Sequence, residues 1–272
     1  MGKSLESLES LDGSEPPGEA LPLLVEAQGG RLYALGLRFC GGPHEAEDMV
    51  QETFLQAYRN WSQFQGHSSA ATWLYTIASR VCQRFHRKKS GEPDRMESLE
   101  ELLPLGEPLM AVIPGDDDGP LADSIREEAR REIEAAITNL SLDFRMPLVL
   151  KEIVGFSIAD VACIMGIKEA TVKTRLHRAR LRLRKAMEGA LPTREVPPPV
   201  YSMQVCLDLL QAKQDSLDRG VDFDFPDQVV CERCAELFAT LDLAQGICRD
   251  IARGELPQGL RRQVLQQLGA DA

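Results

Sequence analysis

The chain has 272 residues, of which 43% are hydrophobic and only 6% aromatic, and its formal net charge is −11 at pH 7. This length suits about two small domains, and the scarcity of aromatic and alternating β-branched residues favours helices over sheets. We find neither a signal peptide nor an apolar run of about eighteen residues, so we predict a cytoplasmic protein without a membrane span. In that compartment the seven cysteines would be thiols or metal ligands rather than disulfides.

The acidic total conceals a strong segregation of charge along the chain. Between Lys168 and Lys185 there are eight basic residues and one acid, whereas acids cluster between Glu92 and Glu134. Local charge, rather than the total, decides what a surface attracts, so a nucleic-acid partner is compatible with this sequence.

The N-terminal part of the chain predicts one helical block. Residues 1–20 are polar and rich in Gly, Ser and Pro, which predicts disorder. The block then covers residues 21–90. Within it, residues 44–61 form a predicted helix with an acidic first turn, as the helix dipole prefers, and residues 72–88 form a second helix that becomes basic towards its end.

The remainder of the chain alternates connectors and helical blocks. Residues 91–120 are rich in Pro, Gly and acids, and such a stretch is too long for a loop inside one compact domain, so we predict an acidic linker. A second helical block covers residues 121–190, a stiff proline-rich connector residues 191–200, and a third small block residues 201–268. The third block carries four of the seven cysteines. The predicted fold class is therefore all-α.

The sharpest motif lies between Phe156 and Met187. Ser157 can cap a short helix over residues 158–165, Gly166 would end it, and a second helix would follow over residues 169–186. This is the pattern of a helix-turn-helix, whose second helix enters the DNA major groove. The alternative is a solvated basic helix on an ordinary bundle.

The second helix of this motif divides into three sets of side chains. A buried stripe is predicted for Val172, Leu176, Ala179 and Leu183. An exposed stripe suited to base edges contains Lys173, Thr174, His177 and Arg178. Positions better suited to phosphates, which add affinity but little sequence information, are Arg175, Arg182, Arg184 and Lys185.

Two stretches together resemble a known family. Residues 45–89, EAEDMVQETFLQAYRNWSQFQGHSSAATWLYTIASRVCQRFHRKK, are similar to region two of the extracytoplasmic-function sigma factors. Residues 140–185, LSLDFRMPLVLKEIVGFSIADVACIMGIKEATVKTRLHRARLRLRK, are similar to region four of the same family. The resemblance implies two helical sigma domains joined by the acidic linker, in a non-enzymatic protein that directs core RNA polymerase to promoter DNA.

The resemblance also implies site residues. Docking on the polymerase would use Asp48, Gln51, Glu52 and Arg59. The promoter element nearest the start site would be read and opened by His67, Ser68, Arg80, Gln83, Arg84, Arg87 and Lys88. The distal element would be bound by Lys173, Thr174, Arg175, His177, Arg178 and Arg182. The linker resembles the segment that threads through the polymerase channels; the alternative is a plain solubilising tether. Because the whole chain is acidic, we predict weak binding to free DNA.

The C-terminal block carries the pattern Cys206, Asp227 and Cys231-Glu-Arg-Cys234. A CxxC pair can hold a metal or act as a redox pair. The wider pattern resembles a zinc-binding anti-sigma domain, which implies zinc held by Cys206, Cys231 and Cys234, with Asp227 where that family usually has His. Cys248 follows Cys234 by fourteen residues, about 21 Å on a continuous helix, so it could serve only if the chain bends back.

The other three cysteines, Cys40, Cys82 and Cys163, are expected in the core. The C-terminal block would be either a built-in regulator, folded over the sigma regions and responsive to metal or oxidation, or a small helical domain with ordinary buried thiols. The resemblance also leaves room for a separate anti-sigma factor as a partner.

Parts of the sequence are also compatible with two other classes of function. One is a stand-alone helix-turn-helix regulator, which would have no use for the DxxQETF helix or the linker. The other is a thiol oxidoreductase using the CERC pair, which the absence of a βαβ pattern and of a Gly-rich phosphate loop argues against.

Overall fold

The computed structural model describes residues 11–40, 42–87, 97–104, 106–114, 119–223, 229–251 and 255–270. The helices are α1 (Pro17–Cys40), α2 (Pro43–Arg59), α3 (Ala70–Arg87), α4 (Leu99–Leu102), α5 (Gly119–Asn139), α6 (Leu142–Leu148), α7 (Ile158–Met165), α8 (Glu169–Ala186), α9 (Met203–Arg219), α10 (Glu232–Ile251) and α11 (Gln258–Ala270). Short 3₁₀ turns cover Trp61–Gln63 and Met187–Ala190, and a π-helical segment covers Val149–Val154. Strands β1 (Leu109–Ala111) and β2 (Thr193–Glu195) pair antiparallel, with Met110 opposite Arg194. The all-α prediction is confirmed, with this small sheet as the addition.

The chain divides into two compact units. The first contains Met1–Pro93, Val149–Val172 and Arg249–Ala272, and the second contains Asp94–Leu148 and Lys173–Cys248. The predicted C-terminal block is therefore shared, because α9 and most of α10 belong to the second unit and α11 belongs to the first. Within the described residues no helix is both long and apolar enough to cross a membrane.

The first unit is built on a three-helix bundle of α1, α2 and α3. Its largest fully buried side chains are Leu21, Leu24, Leu32, Leu35, Met49, Phe54, Leu74 and Tyr75. Helix α7 packs on α3, and α11 packs on α1 and α2, where Arg261 lies 2.5 Å from Glu26. The bundle forms because its helices have apolar stripes. Burial of these stripes stabilises the fold by roughly 25 cal/mol for each Å² of apolar surface removed from water.

The predicted disorder of residues 1–20 is wrong for residues 11–20; residues 1–10 lie outside the described residues. Leu11 is buried, the Trp61 indole Nε1 donates a hydrogen bond of 2.7 Å to the carbonyl of Glu15, and α1 begins at Pro17. A polar composition does not prevent packing when one apolar side chain and one backbone carbonyl find partners on the bundle.

The second unit has a core shared by the linker, the connector and the cysteine-bearing helices. Its hydrophobic cluster contains Leu102, Met110, Leu181, Val196, Cys206, Leu209, Leu210, Leu217, Cys234, Leu237, Phe238 and Leu241. Helix α5 packs against the 3₁₀ turn Met187–Ala190. The linker and the connector therefore do more than join domains, because Met110 of β1 and Val196, which follows β2, supply part of this core.

Candidate nucleic-acid and polymerase interfaces

The helix-turn-helix has the bounds that the sequence predicts. The hydroxyl of Ser157 accepts a hydrogen bond of 3.1 Å from the backbone N–H of Asp160 and so caps α7. Gly166 ends α7 with φ 65° and ψ 34°, the left-handed conformation that glycine adopts without the steric cost of a side chain. Helix α8 then begins at Glu169.

Helix α8 buries its predicted apolar stripe and two basic residues in addition. Val172, Leu176, Ala179 and Leu183 are all buried, as predicted. Arg180 and Arg184 are buried too, with 3% and 2% of their surface exposed. Arg184 was expected to meet phosphates, but it lies inside the second unit, 2.7 Å from Glu188 and 3.3 Å from the carbonyl of Leu102. A buried arginine needs such partners to offset its desolvation.

The stripe of α8 predicted to meet base edges lies against α9. Lys173 Nζ is 3.7 Å from Asp215 Oδ1, and His177 Nε2 is 3.4 Å from Asp218 Oδ2 without the alignment of a hydrogen bond. Thr174 is exposed and Arg178 is half-buried. Acids of α9 therefore occupy the neighbourhood of two of the four residues in this stripe.

Arg180 is the centre of the contact between α8 and α9. Its Nη1 donates to Asp218 Oδ1 at 2.7 Å and to Gln214 Oε1 at 3.0 Å, and Gln214 Nε2 also reaches the carbonyl of His177 at 3.5 Å. Burial would raise the pKa of the Asp218 carboxyl, but His177 and Arg180 outweigh it and hold this pKa below its usual value. Asp218 is therefore a carboxylate at neutral pH.

The same acids raise the question of a cation. The ligand atoms of His177, Asp215 and Asp218 lie within 4.8 Å of one another, the one such group found in the described part of the chain. Lys173 and Arg180 already neutralise these two acids, so the geometry is that of ion pairs between helices.

The residues of α8 predicted to meet phosphates also have acidic partners. Arg175 lies 3.4 Å from Asp143, Lys185 lies 3.0 Å from Glu97, and Arg182 contacts the same Glu97. All of these partners belong to the second unit. The basic side chains of α8 are thus largely neutralised by acids of their own unit.

The residues predicted to dock on polymerase lie on one face of α2. Asp48 is exposed and Gln51 and Glu52 are half-buried. Together with residues of α3 they line an open cavity of about 420 Å³, whose lining is Asp48, Gln51, Glu52, Leu55, Arg84 and Phe85. Arg84, predicted to hold DNA, lies 3.3 Å from Glu52. Arg59 is exposed at the end of α2 and does not line this cavity.

The other residues predicted at the proximal promoter element lie on α3 and the loop before it. Arg80 and His67 are exposed, while Gln83 and Ser68 are half-buried. The side chain of Arg87 and all of Lys88 lie outside the described residues.

An aromatic cluster supports the loop that precedes α3. The rings of Trp61 and Phe64 each lie 5.5 Å from that of Trp73. The hydroxyl of Ser69 accepts a hydrogen bond from the backbone N–H of Thr72, so Ser69 caps the N-terminus of α3 where the loop joins it.

Three of the four predicted zinc ligands lie together; Asp227 is outside the described residues. Cys206 on α9 and Cys234 on α10 are buried, and Cys231 is half-buried. Burial, together with the neighbouring Cys231 and Cys206 thiols, raises the pKa of Cys234. Burial also acts to raise the pKa of Cys231, but hydrogen bonds from backbone N–H groups outweigh it and lower this pKa. The Cys234 thiol thus interacts with both other thiols, but the three sulfur atoms do not all lie within 4.8 Å of one another. Three cysteine sulfurs are a donor set that suits a soft metal ion such as zinc, and binding one ion would require them to draw closer together.

The remaining cysteines have mixed outcomes. Helix α10 is continuous from Glu232 to Ile251, so the chain does not bend back to bring Cys248 to Cys234. Cys40 and Cys82 are buried, as expected, and their thiols interact with each other. The expectation that Cys163 lies in the core is wrong, because it is exposed on α7. On α7 the buried side chains are those of Val161, Ala162 and Ile164, and the turn of the helix points Cys163 away from them.

Sequence reasoning missed Arg233, which lies between the two cysteines of the CERC motif. Only 3% of its surface is exposed, and its guanidinium donates to the carbonyl oxygens of Pro104, Glu107, Val196 and Pro197 at 2.6–3.2 Å. The first two belong to the linker and the last two to the connector. A lone arginine inside a short motif carries no periodic signal, so only the arrangement of the chain in space reveals this role.

Comparison with known proteins identifies the family. The Sigma-70 region 2 family model matches residues 24–92 and the Sigma-70 region 4 model matches residues 130–183. The chain is 34% identical over 169 residues to the ECF RNA polymerase sigma factor SigW of Bacillus subtilis, covering 62% of this chain and 89% of SigW. It is 31% identical to the RNA polymerase sigma-H factor of Pseudomonas aeruginosa, covering 63% of this chain and 88% of that protein.

Among solved structures, the sigma factor RpoE from Bartonella quintana, crystallised with the anti-sigma factor NepR, superimposes with a TM-score of 0.43 and 24% identity over 61% of this chain and 94% of that one. The region 2 match precedes the region 4 match along the chain, in the order that the sequence predicts. Together with the two sequence relatives, these matches favour a sigma factor over a stand-alone regulator and over a thiol oxidoreductase. The chain belongs to the extracytoplasmic-function (ECF) RNA polymerase sigma factors, which are transcription factors and not enzymes.

Proposed function

We propose that this sigma factor binds core RNA polymerase in the cytoplasm through the acidic face of α2, and directs it to promoters that α3 and α8 recognise. The observation that carries the proposal is the helix-turn-helix of α7 and α8, whose second helix has a buried apolar stripe beside a basic one. A helix of this kind fits the major groove, and the match to the Sigma-70 region 4 model supports promoter DNA as its partner.

The α2 face suits a basic partner. Asp48 and Glu52 present carboxylates one turn apart, and Leu55 and Phe85 add an apolar floor to the cavity that they line. Complementary charge accelerates encounter and fixes register, and the apolar floor supplies burial. We assign this face to core polymerase.

Helix α3 suits the part of the promoter that must open. Arg80 and Arg84 are exposed along it and can hold the DNA backbone, while His67 and Ser68 lie in the loop supported by the aromatic cluster. An opened strand offers unstacked bases, which a loop next to a basic helix can accept.

Helix α8 suits the distal element. Thr174 and Arg178 can reach base edges together with Lys173 and His177, and Arg175 and Arg182 can reach phosphates once their acidic partners move aside. The linker, residues 91–120, would then enter the polymerase channels, where its acids resemble nucleic-acid phosphates.

We further propose that Cys206, Cys231 and Cys234 hold zinc. Thiolate ligands would join the α9 and α10 helices through one ion, and zinc bound there would stabilise the folded C-terminal helices, since the thiols come together only when α9 and α10 pack.

The polymerase proposal is tested by transcription. Core polymerase, the purified chain and a library of genomic fragments are combined, and the transcripts are sequenced. We expect start sites that depend on this chain, and we expect D48N/E52Q to lose them. The control E127Q/E128Q removes two exposed acids from α5 and should retain them. A chain that neither co-purifies with core polymerase nor yields such transcripts contradicts the proposal.

The zinc proposal is tested by metal content. The purified full chain should contain about one zinc ion by mass spectrometry, as expected for one structural site. C231S/C234S should lose it, and C163S, which removes an exposed thiol outside the cluster, should keep it. Equal metal content in all three chains would place zinc elsewhere or nowhere.

A further inference from the structure

We propose that α9 is an intramolecular competitor of promoter DNA. Its acidic face, formed by Asp215 and Asp218 beside Gln214, binds the side chains of α8 that would otherwise meet the distal element. This inference rests on the proposed role of α8 in promoter recognition. It adds a partner for that helix within the chain itself, and it names the chemistry of the contact.

The two faces match in spacing. On α9, Asp215 and Asp218 are three residues apart and so lie on one side of the helix, one turn from each other. On α8, Lys173, His177 and Arg180 follow at steps of four and three, which also place them on one side. Each acid meets a basic partner: Asp215 meets Lys173, and Asp218 meets both His177 and Arg180.

The carboxylates of α9 offer α8 the same kind of acceptor as a DNA phosphate does. A carboxylate offers an arginine, a lysine or a histidine a negatively charged oxygen acceptor, as a phosphate of the DNA backbone does. A face of α8 that is covered by a helix of about 10 Å diameter cannot at the same time lie in a major groove about 12 Å wide. DNA and α9 therefore compete for the same side.

The contact is strong enough to matter. Asp218 and Arg180 have 5% and 3% of their surface exposed and are 2.7 Å apart, and their burial limits screening by salt. The Lys173–Asp215 pair is about 40% exposed on each side and contributes less. Promoter DNA must displace the buried pair, so free DNA binds weakly although α8 itself is strongly basic.

The same helix carries a thiol of the cysteine cluster. Cys206 lies on α9, nine residues before Asp215, and its neighbours Cys231 and Cys234 belong to the motif that begins α10. Lys213, on α9, adds two bonds of 2.6 and 2.7 Å to Asp242 on α10. The position of the acidic face thus depends on how α9 is held on α10.

The test compares DNA binding by full-length chains with matched charge. The probe is a fluorescent random-sequence DNA duplex, read by anisotropy at fixed salt without polymerase. D215N/D218N should bind this duplex about tenfold more tightly than the natural chain, because the acidic partners of Lys173, His177 and Arg180 lose their charge. D208N/D222N removes the same charge from exposed positions and should bind less than about twofold more tightly.

A second pair of variants guards against loss of folding in the first. D215K changes a half-exposed residue and sets two lysines against each other, whereas D208K places the same charge elsewhere on α9. We expect D215K to bind the duplex more tightly than D208K. Equal affinities within both pairs would overturn the proposal, and if α8 variants still lost promoter-specific transcription, the role of α8 would stand without it.

A third variant distinguishes the two proposals. Adding Arg178→Ala to D215N/D218N should abolish the gain in DNA affinity, because Arg178 belongs to the stripe of α8 that we propose faces DNA. A gain that survives this change would put the DNA on another surface, and it would overturn both the competition and the role of α8 in promoter recognition.

Discussion

The helices α3 and α8 carry similar basic side chains but differ in their surroundings. On α3, Arg80 and Arg84 are exposed, and Arg84 meets Glu52 in a pair open to solvent. On α8, Arg180 and Arg184 are buried. Lys173, Arg175 and Lys185 form ion pairs with acids of α9, α6 and the linker, respectively.

The difference shows that a basic sequence does not by itself give an available basic surface. An exposed pair is worth at most about 1 kcal/mol and yields easily to a competing anion, whereas removal of one member of a buried pair costs several kcal/mol. In the function we propose, α3 would meet DNA as it stands, whereas α8 would first exchange one set of anions for another.

The largest effect is expected from Asp218→Ala, which removes the carboxylate that pairs with the buried Arg180 at 2.7 Å. We expect a loss of about 3–5 kcal/mol in the free energy of unfolding, because the buried guanidinium loses its carboxylate partner. Urea denaturation followed by circular dichroism measures it.

The control for this change is Asp208→Ala on the same helix, at an exposed position where Oδ1 accepts a hydrogen bond from Gln204. It should cost less than about 0.5 kcal/mol. Similar costs for the two variants would mean that the contact between α8 and α9 is no stronger than an exposed pair, and the comparison with α3 would fail.

A smaller but clear effect is expected from Arg233→Lys. The ammonium keeps the charge but cannot reach four carbonyl oxygens arranged for a planar guanidinium. We expect a loss of about 2–3 kcal/mol from buried acceptors left without donors, and faster proteolysis of the linker in residues 103–114. Arg262→Lys, at an exposed position of α11, is the control. Unchanged proteolysis in R233K would show that Arg233 does not hold the linker.

What the sequence could predict is what local rules decide. The two helices of the helix-turn-helix were predicted with their observed bounds, because a capping Ser157, a left-handed Gly166 and a helical stripe all act within a few residues. The thiol cluster was predicted for three of its members by spacing and by resemblance.

What the sequence could not predict depends on residues far apart along the chain. Arg180 and Asp218 are separated by 38 residues, and acids three apart on a helix are also what a solvated face would show. Arg180 itself looked like one more cation in a basic run. Only the packing of α9 on α8 distinguishes a buried partner from an exposed one, and the same holds for the linker carbonyls that Arg233 holds.

A moderate effect is expected from Lys213→Met, which frees α9 from α10 without touching α8. Lys213 is 4% exposed, bonds both oxygens of Asp242 and lies 5.4 Å from the ring centroid of Phe223. We expect a loss of about 1–2 kcal/mol, since Asp242 remains solvated, and a gain of about threefold in affinity for the random-sequence duplex.

That gain should be smaller than the gain of D215N/D218N. Combination of all three changes should add little to D215N/D218N, because the acidic face would already be neutral. Full additivity would instead show that Lys213 affects DNA binding by a separate route, and that α9 does not carry the effect.

The smallest effect is expected from Glu52→Gln, which removes the acidic partner of Arg84 on the α3 side of the comparison. Both side chains are substantially exposed, at 53% for Arg84 and 35% for Glu52, so the pair should contribute about 0–1 kcal/mol to stability. Affinity for the random-sequence duplex should change by less than about twofold, because water and salt already compete with this pair. Anisotropy and urea denaturation, run beside Asp218→Ala, measure both. A large gain in DNA binding from Glu52→Gln would mean that α3, like α8, is held by an acid of its own chain, and that the two helices differ in burial but not in availability.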